Sequence, residues 1–359
     1  MMIKVLVVDD SAFMRKTIST LLESDAGITV VGTARDGEDA IQKVRSLKPD
    51  LVTLDVEMPR MNGLQALQII MKEMPVPVIM VSSLTEDGAR ETIAALEIGA
   101  LDFIPKHLAN DVTNIAHVKD DLVRKIKALA GRKLNPTMPN RAKTSSQAMA
   151  PAVSDAEKIH TDFSHLSHSS RKIRIVAIGT STGGPKALQE LLPKLPKDFP
   201  VGILVVQHMP PSFTGPFAER LGQLSQIEVR EARDGEPVKP GVALIAPGGY
   251  HMRIFRKGLG ETEIRLSKEP QTIHMPSVDV MMTSVAQIFA DAALGVIMTG
   301  MGHDGQDGMK AIKAAKGKTI AQDEASCVVF GMPKAAIEVG VVDKVVPLNR
   351  LAGEIVNMV

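Results

Sequence analysis

Ile3-Lys4-Val5-Leu6-Val7-Val8-Asp9-Asp10-Ser11 decides the fold of the N-terminal half. A short apolar run rich in β-branched residues ends in two carboxylates and then in Ser11, a residue suited to cap a helix. Leu51 to Leu54 repeats the pattern and ends at Asp55, and Val78 to Val81 repeats it and ends at Ser82-Ser83. Continuous apolar strands alternating with helices predict a parallel sheet covered on both faces. Ile115, Val118, Leu122, Ile126 and Leu129 recur three or four apart and predict a closing helix with one apolar stripe. Ligand sites of parallel sheets lie beyond the carboxyl ends of the strands, and Asp9, Asp10, Asp55, Ser82 and Lys106 all fall there. Converging carboxylates repel unless a cation joins them, and hard oxygen donors select Mg²⁺. An aspartate can attack phosphorus, with a lysine and a hydroxyl to hold the new phosphoryl oxygens.

The chain has 359 residues, enough for two domains with separate cores. Its 42 basic and 41 acidic residues leave a formal charge of +1, which gives no electrostatic footprint for a phosphate backbone. With no tryptophan and one tyrosine, Tyr250, there is little to stack bases on, so nucleic acid is not an expected partner. The single cysteine, Cys327, fits a reducing cytoplasm and reads as a small buried hydrophobe. The N-terminus lacks a signal-peptide plan and no run of about 18 apolar residues occurs, so membrane insertion is not expected.

From about Lys133 to Lys172 the pattern stops in a polar, proline-broken stretch. The expected division is a first domain over 1–130, a linker over 131–172 and a second domain over 173–359. His160, His165 and His168 read as solvated linker residues rather than metal ligands. Ile173 to Ile178, Val201 to Val206, Val242 to Ala246 and Leu294 to Thr299 predict a second, doubly wound and mostly parallel α/β sheet.

Gly179-Thr180-Ser181-Thr182-Gly183 follows the first of these strands and matches G-x-S-x-G. Glycines two residues either side of a serine permit a sharp strand-to-helix turn that exposes its hydroxyl, with a helix N-terminus behind it. No G-K-[ST] follows, which argues against a Walker nucleotide loop. A serine needs a base. His208 ends the strand Val201 to Val206, at the same sheet edge as Ser181; His251 is its main rival, and His274 and His303 are further candidates. The imidazole needs a carboxylate, and Asp304 follows the strand Leu294 to Thr299 in a glycine-rich loop. The order Ser…His…Asp differs from that of α/β-hydrolases, so the turn is not evidence for their fold.

Val7-Val8-Asp9-Asp10-Ser11, Leu54-Asp55-Val56-Glu57-Met58-Pro59, Met80-Val81-Ser82-Ser83 and Asp102-Phe103-Ile104-Pro105-Lys106 together resemble a response-regulator receiver domain over residues 1 to about 125. The resemblance implies a flavodoxin-like five-stranded parallel sheet with Asp55 as phosphoacceptor. It also implies a Mg²⁺ site of Asp9, Asp10, Asp55 and the Glu57 carbonyl, with Ser82 and Lys106 as switch residues. One departure is His107, where a proline usually follows the lysine.

Ile178-Gly179-Thr180-Ser181-Thr182-Gly183-Gly184-Pro185, Val206-Gln207-His208-Met209, Ala246-Pro247-Gly248-Gly249-Tyr250-His251-Met252, Pro276-Ser277-Val278-Asp279, Thr299-Gly300-Met301-Gly302-His303-Asp304-Gly305 and Val329-Phe330-Gly331-Met332-Pro333 resemble the chemotaxis protein-glutamate methylesterase family. This resemblance implies Ser181 as nucleophile, His208 as base, Asp304 as orienting acid and the Met301 N–H in the oxyanion hole. Thr182 is expected to support the turn or donate a hydrogen bond. The implied activity is hydrolysis of glutamyl methyl esters, and deamidation of glutamines, on methyl-accepting chemoreceptors during adaptation in bacterial chemotaxis. Mg²⁺ is expected for receiver phosphorylation and no cofactor for ester hydrolysis. The phosphodonor is expected to be a chemotaxis histidine kinase, and the chain a cytoplasmic monomer whose receiver covers the catalytic face until phosphorylated. A receiver driving a DNA-binding output is the alternative, disfavoured by several βα units and by an ending, Leu348 to Val359, with one arginine and no lysine. A receptor-binding scaffold without chemistry is a third reading.

Overall fold

The computed structural model describes residues 2–106, 112–132, 173–258 and 260–359, with side chains for all but 112–118. Most of the expected linker, with His160, His165 and His168, lies outside the described residues, as do His107 and the side chains of Ile115 and Val118.

The first unit runs β1 (Ile3–Val8), α1 (Ala12–Glu23), β2 (Ile28–Ala34), α2 (Gly37–Leu47), β3 (Leu51–Asp55), α3 (Gly63–Glu73), β4 (Val78–Ser82), α4 (Glu86–Ile98), β5 (Asp102–Pro105) and α5 (Val112–Leu129). Its sheet has the order β2-β1-β3-β4-β5 with every pair parallel, as expected. Every residue of β3 and β4 is buried, which explains why neither alternates polar with apolar. Ser11 caps α1 by accepting the Met14 N–H at 3.4 Å. Leu122, Ile126 and Leu129 press the α5 stripe into a core with Val5, Val7 and Ile18.

The second unit runs β6 (Ile175–Thr180), α6 (Gly184–Leu191), β7 (Gly202–Gln207), α7 (Pro211–Leu224), β8 (Glu228–Glu231), β9 (Val242–Ile245), β10 (His251–Lys257), β11 (Glu261–Ser267), α8 (Val278–Phe289), β12 (Ala293–Ile297), α9 (Gln306–Ala314), β13 (Lys318–Gln322), α10 (Met332–Glu338), β14 (Lys344–Val346) and α11 (Leu348–Met358). Seven strands form a parallel sheet in the order β14-β13-β12-β6-β7-β9-β8, and β10 with β11 forms a separate antiparallel ribbon. The chain builds outward from β6 through β7 and β9, then returns to β12 on the other side of β6. The crevice at the carboxyl ends of β6 and β12 is therefore the topological switch point, where open α/β sheets place their ligands.

The units touch through α4, which rests on α7, and through the rings of Phe103 and Phe213, stacked with centroids 4.4 Å apart. Glu97 accepts from Arg220 Nε at 2.6 Å and Nη2 at 3.0 Å across the same boundary. No described helix is long and apolar enough to cross a membrane.

At the start of α3, a Cβ on Gly63 would stand 1.9 Å from the carbonyl oxygen of Asp55. Backbone cannot move aside as a flexible side chain can, so Gly63→Ala should destabilise the first unit by about 1–3 kcal/mol. Calorimetric melting checks this, and an unchanged first-unit transition would contradict the packing.

Candidate active site

The first carboxyl edge gathers three carboxylates. Asp9, Asp10 and Asp55 each place an oxygen within 4.8 Å of the others. Asp9 and Asp55 are buried, and Lys106 Nζ, from just past β5, lies 2.7 Å from Asp55 Oδ2 and 3.4 Å from Asp9 Oδ2. Both of those oxygens nevertheless lack a well-directed hydrogen bond. Two buried carboxylates thus share one ammonium. Burial raises the pKa of Asp55 to about 6, partly offset by Lys106 and aggravated by Asp9. Burial likewise raises Asp9, while the two carboxylates raise Lys106 against its own burial. A set of hard oxygens with two underserved members fits a divalent cation such as Mg²⁺. The Glu57 N–H donates to Asp55 Oδ1 at 3.2 Å, which places the Glu57 backbone beside the cluster. Ser82 is buried and turns its hydroxyl toward the carbonyls of Gly88 and Ser83, at 3.1 and 3.2 Å.

The second carboxyl edge is built at the switch point. Ser181 leaves β6 with its N–H on the Thr299 carbonyl at 3.0 Å. Gly183, at φ 78°, turns the chain into α6 in a left-handed conformation that glycine adopts without strain. Gln207 Nε2 donates to the carbonyls of Ser181 and His208, both at 3.1 Å, and so ties the ends of β6 and β7 together. His208 Nε2 lies 2.7 Å from Asp304 Oδ2. Asp304 also accepts from Ser277 Oγ at 2.8 Å and from the N–H groups of Val278 at 2.7 Å and Asp279 at 3.1 Å. Those last two are free N–H groups at the start of α8, where a carboxylate is favoured by hydrogen bonding and by the helix dipole. Burial works to raise the pKa of Asp304, but His208 and the α8 N–H groups outweigh it and hold the carboxyl below its ordinary value. Its neighbour Asp279 goes the other way, to about 6, through burial and through the charge of Asp304.

The second ring nitrogen of His208, Nδ1, is buried without a hydrogen-bond partner. His208 and Ser181 line one cavity of about 620 Å³, together with Thr182, His274 and Met301. No hydrogen bond joins the Ser181 hydroxyl to the His208 ring in this structure. The backbone N–H groups of Thr182 and Met301 donate to no acceptor among the described residues. The rival His251 is fully buried, accepts the Ser277 N–H on Nδ1 at 3.2 Å and donates from Nε2 to the Pro270 carbonyl at 2.9 Å. With both nitrogens engaged it has none to offer Ser181. His303 is exposed and outside the cavity lining.

The first unit supplies a wall of this cavity through Asp102, Phe103, Arg124 and Lys125. Thr182 Oγ1 donates to Asp102 Oδ2 at 2.8 Å, so its side chain faces the other unit rather than its own turn. Lys125 Nζ lies 3.1 Å from the same oxygen. Burial opposes the charge of Lys125, but Asp102 and Asp121 outweigh it and raise its pKa. Sequence reasoning missed this group, because residues 80 apart carry no local mark of their pairing. The seat of Asp304 was findable: Ser277-Val278-Asp279 reads as a helix start, with a capping hydroxyl before an acidic first turn.

A family model described as CheB methylesterase matches residues 176–355, and one described as response regulator receiver domain matches residues 5–116. The chain is 47% identical to a protein-glutamate methylesterase/protein-glutamine glutaminase of Oleidesulfovibrio alaskensis, over all of both chains. It is 49% identical to a protein of the same description from Pyrococcus horikoshii, covering 99% of this chain and 94% of that one. Among solved structures, the Thermotoga maritima CheB methylesterase catalytic domain aligns with 52% of this chain and 100% of its own, at 43% identity and a TM-score of 0.51.

The carboxylate cluster sets a stability prediction. Asp55 binds a proton more readily folded than unfolded, since burial lifts it from 3.8 to about 6. Stability therefore falls as pH rises between about 4 and 6, and at neutral pH the charged side chain costs up to roughly 3 kcal/mol. Asp55→Asn should raise the melting temperature of the first unit at pH 7 and flatten that pH dependence. Millimolar Mg²⁺ should stabilise the natural chain more than the variant. Equal melting temperatures at pH 7, with equal responses to Mg²⁺, would contradict it.

Proposed function

The chain belongs to the CheB methylesterase family, joined to a response-regulator receiver, and on that footing we propose that it acts in the cytoplasm as a phosphorylation-activated methylesterase and glutaminase of chemoreceptors. The reading rests chiefly on one observation. His208 holds Asp304 through Nε2 at 2.7 Å while its buried Nδ1 stays unpartnered in the cavity that Ser181 lines.

In this reading Asp304 accepts the Nε2–H of His208 and so leaves a lone pair on Nδ1. As Ser181 Oγ attacks the ester carbonyl carbon, Nδ1 takes the hydroxyl proton. The contact tightens when substrate fills the cavity. The carbonyl oxygen, now an anion, is met by the N–H groups of Met301 and Thr182. Collapse breaks the bond to methoxide, which leaves as methanol with the proton from Nδ1; a glutamine side chain loses ammonia the same way. Water then yields a proton to Nδ1, attacks the glutamyl-serine ester and frees the receptor glutamate. Every step uses groups of the chain and water.

Regulation is assigned to Asp55, whose carboxylate would take a phosphoryl group from a chemotaxis histidine kinase. Asp9, Asp10, Asp55 and the Glu57 carbonyl would hold Mg²⁺, which when bound neutralises charge on the transferring group. Lys106 contacts Asp55, and the strand leading to Lys106 is β5, which carries Asp102 and Phe103 against the catalytic cavity. A phosphoryl group on Asp55 gives Lys106 a new partner and so biases the strand that walls the site. The unmodified receiver then obstructs the substrate path, and phosphorylation opens it.

Two measurements test these parts. Ser181→Ala should lower methanol release from methylated receptors by about 10³-fold or more, and a natural rate in that variant would end the proposal. Arg220→Glu sets two carboxylates against each other at the domain boundary and should raise activity without phosphodonor by about three- to tenfold. Adding Glu97→Arg should return it toward the starting value. Basal activity that ignores both changes would mean that this contact does not restrain the enzyme.

A further inference from the structure

We propose that His274 is a positioning residue for the esterase reaction, its ring lying against His208 and fixing the plane in which Nδ1 of His208 faces Ser181. The inference rests on the triad reading above and adds a residue to it.

The two imidazoles stack with centroids 4.2 Å apart and planes 17° from parallel. The Asp304 contact alone leaves the ring under-determined. Nε2 lies closer to the Cβ–Cγ axis than Nδ1 does, so rotation about that bond moves Nδ1 substantially while barely disturbing the 2.7 Å contact to Asp304. A flat partner on one face resists that rotation, because a turned ring would collide with it. Only the orientation with Nδ1 toward the cavity serves a proton transfer from Ser181.

The segment carrying His274 is itself held. Thr272 Oγ1 donates to the His274 carbonyl at 2.6 Å, and the next carbonyl, of Met275, accepts the Gly249 N–H at 3.0 Å. Ile273 points out, 86% exposed, while His274 points in to line the cavity. The ring is therefore placed by its backbone and not merely swept against His208.

Its charge state suits the task. The charged and titratable groups around it are His208 in the stack, Asp304 from the loop after β12, and Arg124 and Asp121 from α5. Burial, helped by His208, pushes His274 down to about 4, so it stays neutral at neutral pH. A neutral ring face can remain against His208 when that residue becomes an imidazolium during turnover, and electrostatically it favours the cation. A second imidazolium would repel it. A residue present only to fill space would show none of this dependence on an aromatic face.

The test uses the full chain, methylated receptor membranes and a small phosphodonor with Mg²⁺. His274→Ala should lower kcat by about 10- to 100-fold with KM within about threefold. His274→Phe, which restores a flat face, should recover most of the loss, whereas His274→Leu, of similar bulk, should not. Should His274→Ala fail to fold, the comparison of Phe with Leu decides. An alanine variant turning over within twofold of the natural chain, or a phenylalanine variant no better than leucine, overturns the inference. Ser181→Ala run alongside separates the two readings: activity surviving there removes the triad, whereas Ser181-dependent activity indifferent to position 274 removes only the role of His274.

Discussion

A carboxylate seated on the end of a helix organises the second unit. Asp304 takes two N–H groups from the start of α8, a hydroxyl from Ser277 and a ring nitrogen from His208. Burying a charge is costly unless it is this fully satisfied. The arrangement does two things at once: it anchors the loop after β12 to α8, and it engages one nitrogen of the His208 ring while the other stays unpartnered.

Much of this was legible in the sequence because parallel sheets constrain where polar residues stand. An apolar strand that ends in Asp9, Asp55, Ser181 or His208 delivers that residue to the carboxyl edge whatever the helices do. The strands β8, β10, β11 and β14 were not foreseen, for a shared reason. They are short, or lie at edges or in the ribbon, and carry charged residues such as Glu228, Arg253 and Lys344 that mask an apolar pattern. Local sequence left His208 and His251 as rivals, the family resemblance pointed to His208, and the coordinates add a physical reason. Both follow buried strands and sit among glycines or prolines, and only the folded chain shows that the Ser277 N–H already occupies His251. The direction of the Ser82 hydroxyl, toward α4, is equally invisible in a run of residues.

The two carboxyl edges solve opposite electrostatic problems with the same architecture. In the receiver, two buried carboxylates have too few partners, and that deficit suits a cation and a phosphoryl group that come and go. In the catalytic unit one carboxylate has every partner it can use, which suits a fixed imidazole. The contrast is between the carboxylates: Asp9 and Asp55 each keep a buried oxygen without a hydrogen bond, whereas both oxygens of Asp304 are taken.

Asp102 stands where these two strategies meet. Its oxygen Oδ2 serves Lys125 inside the receiver and Thr182 across the boundary. Were the units to part as proposed, the receiver would keep its Lys125 pairing, whereas the catalytic half would be left with a hydroxyl looking for water. In the proposed mechanism opening would therefore be asymmetric: the receiver would leave with its own pairing undisturbed, and the other half would have to rehydrate the residue beside the proposed nucleophile before a substrate took the receiver's place.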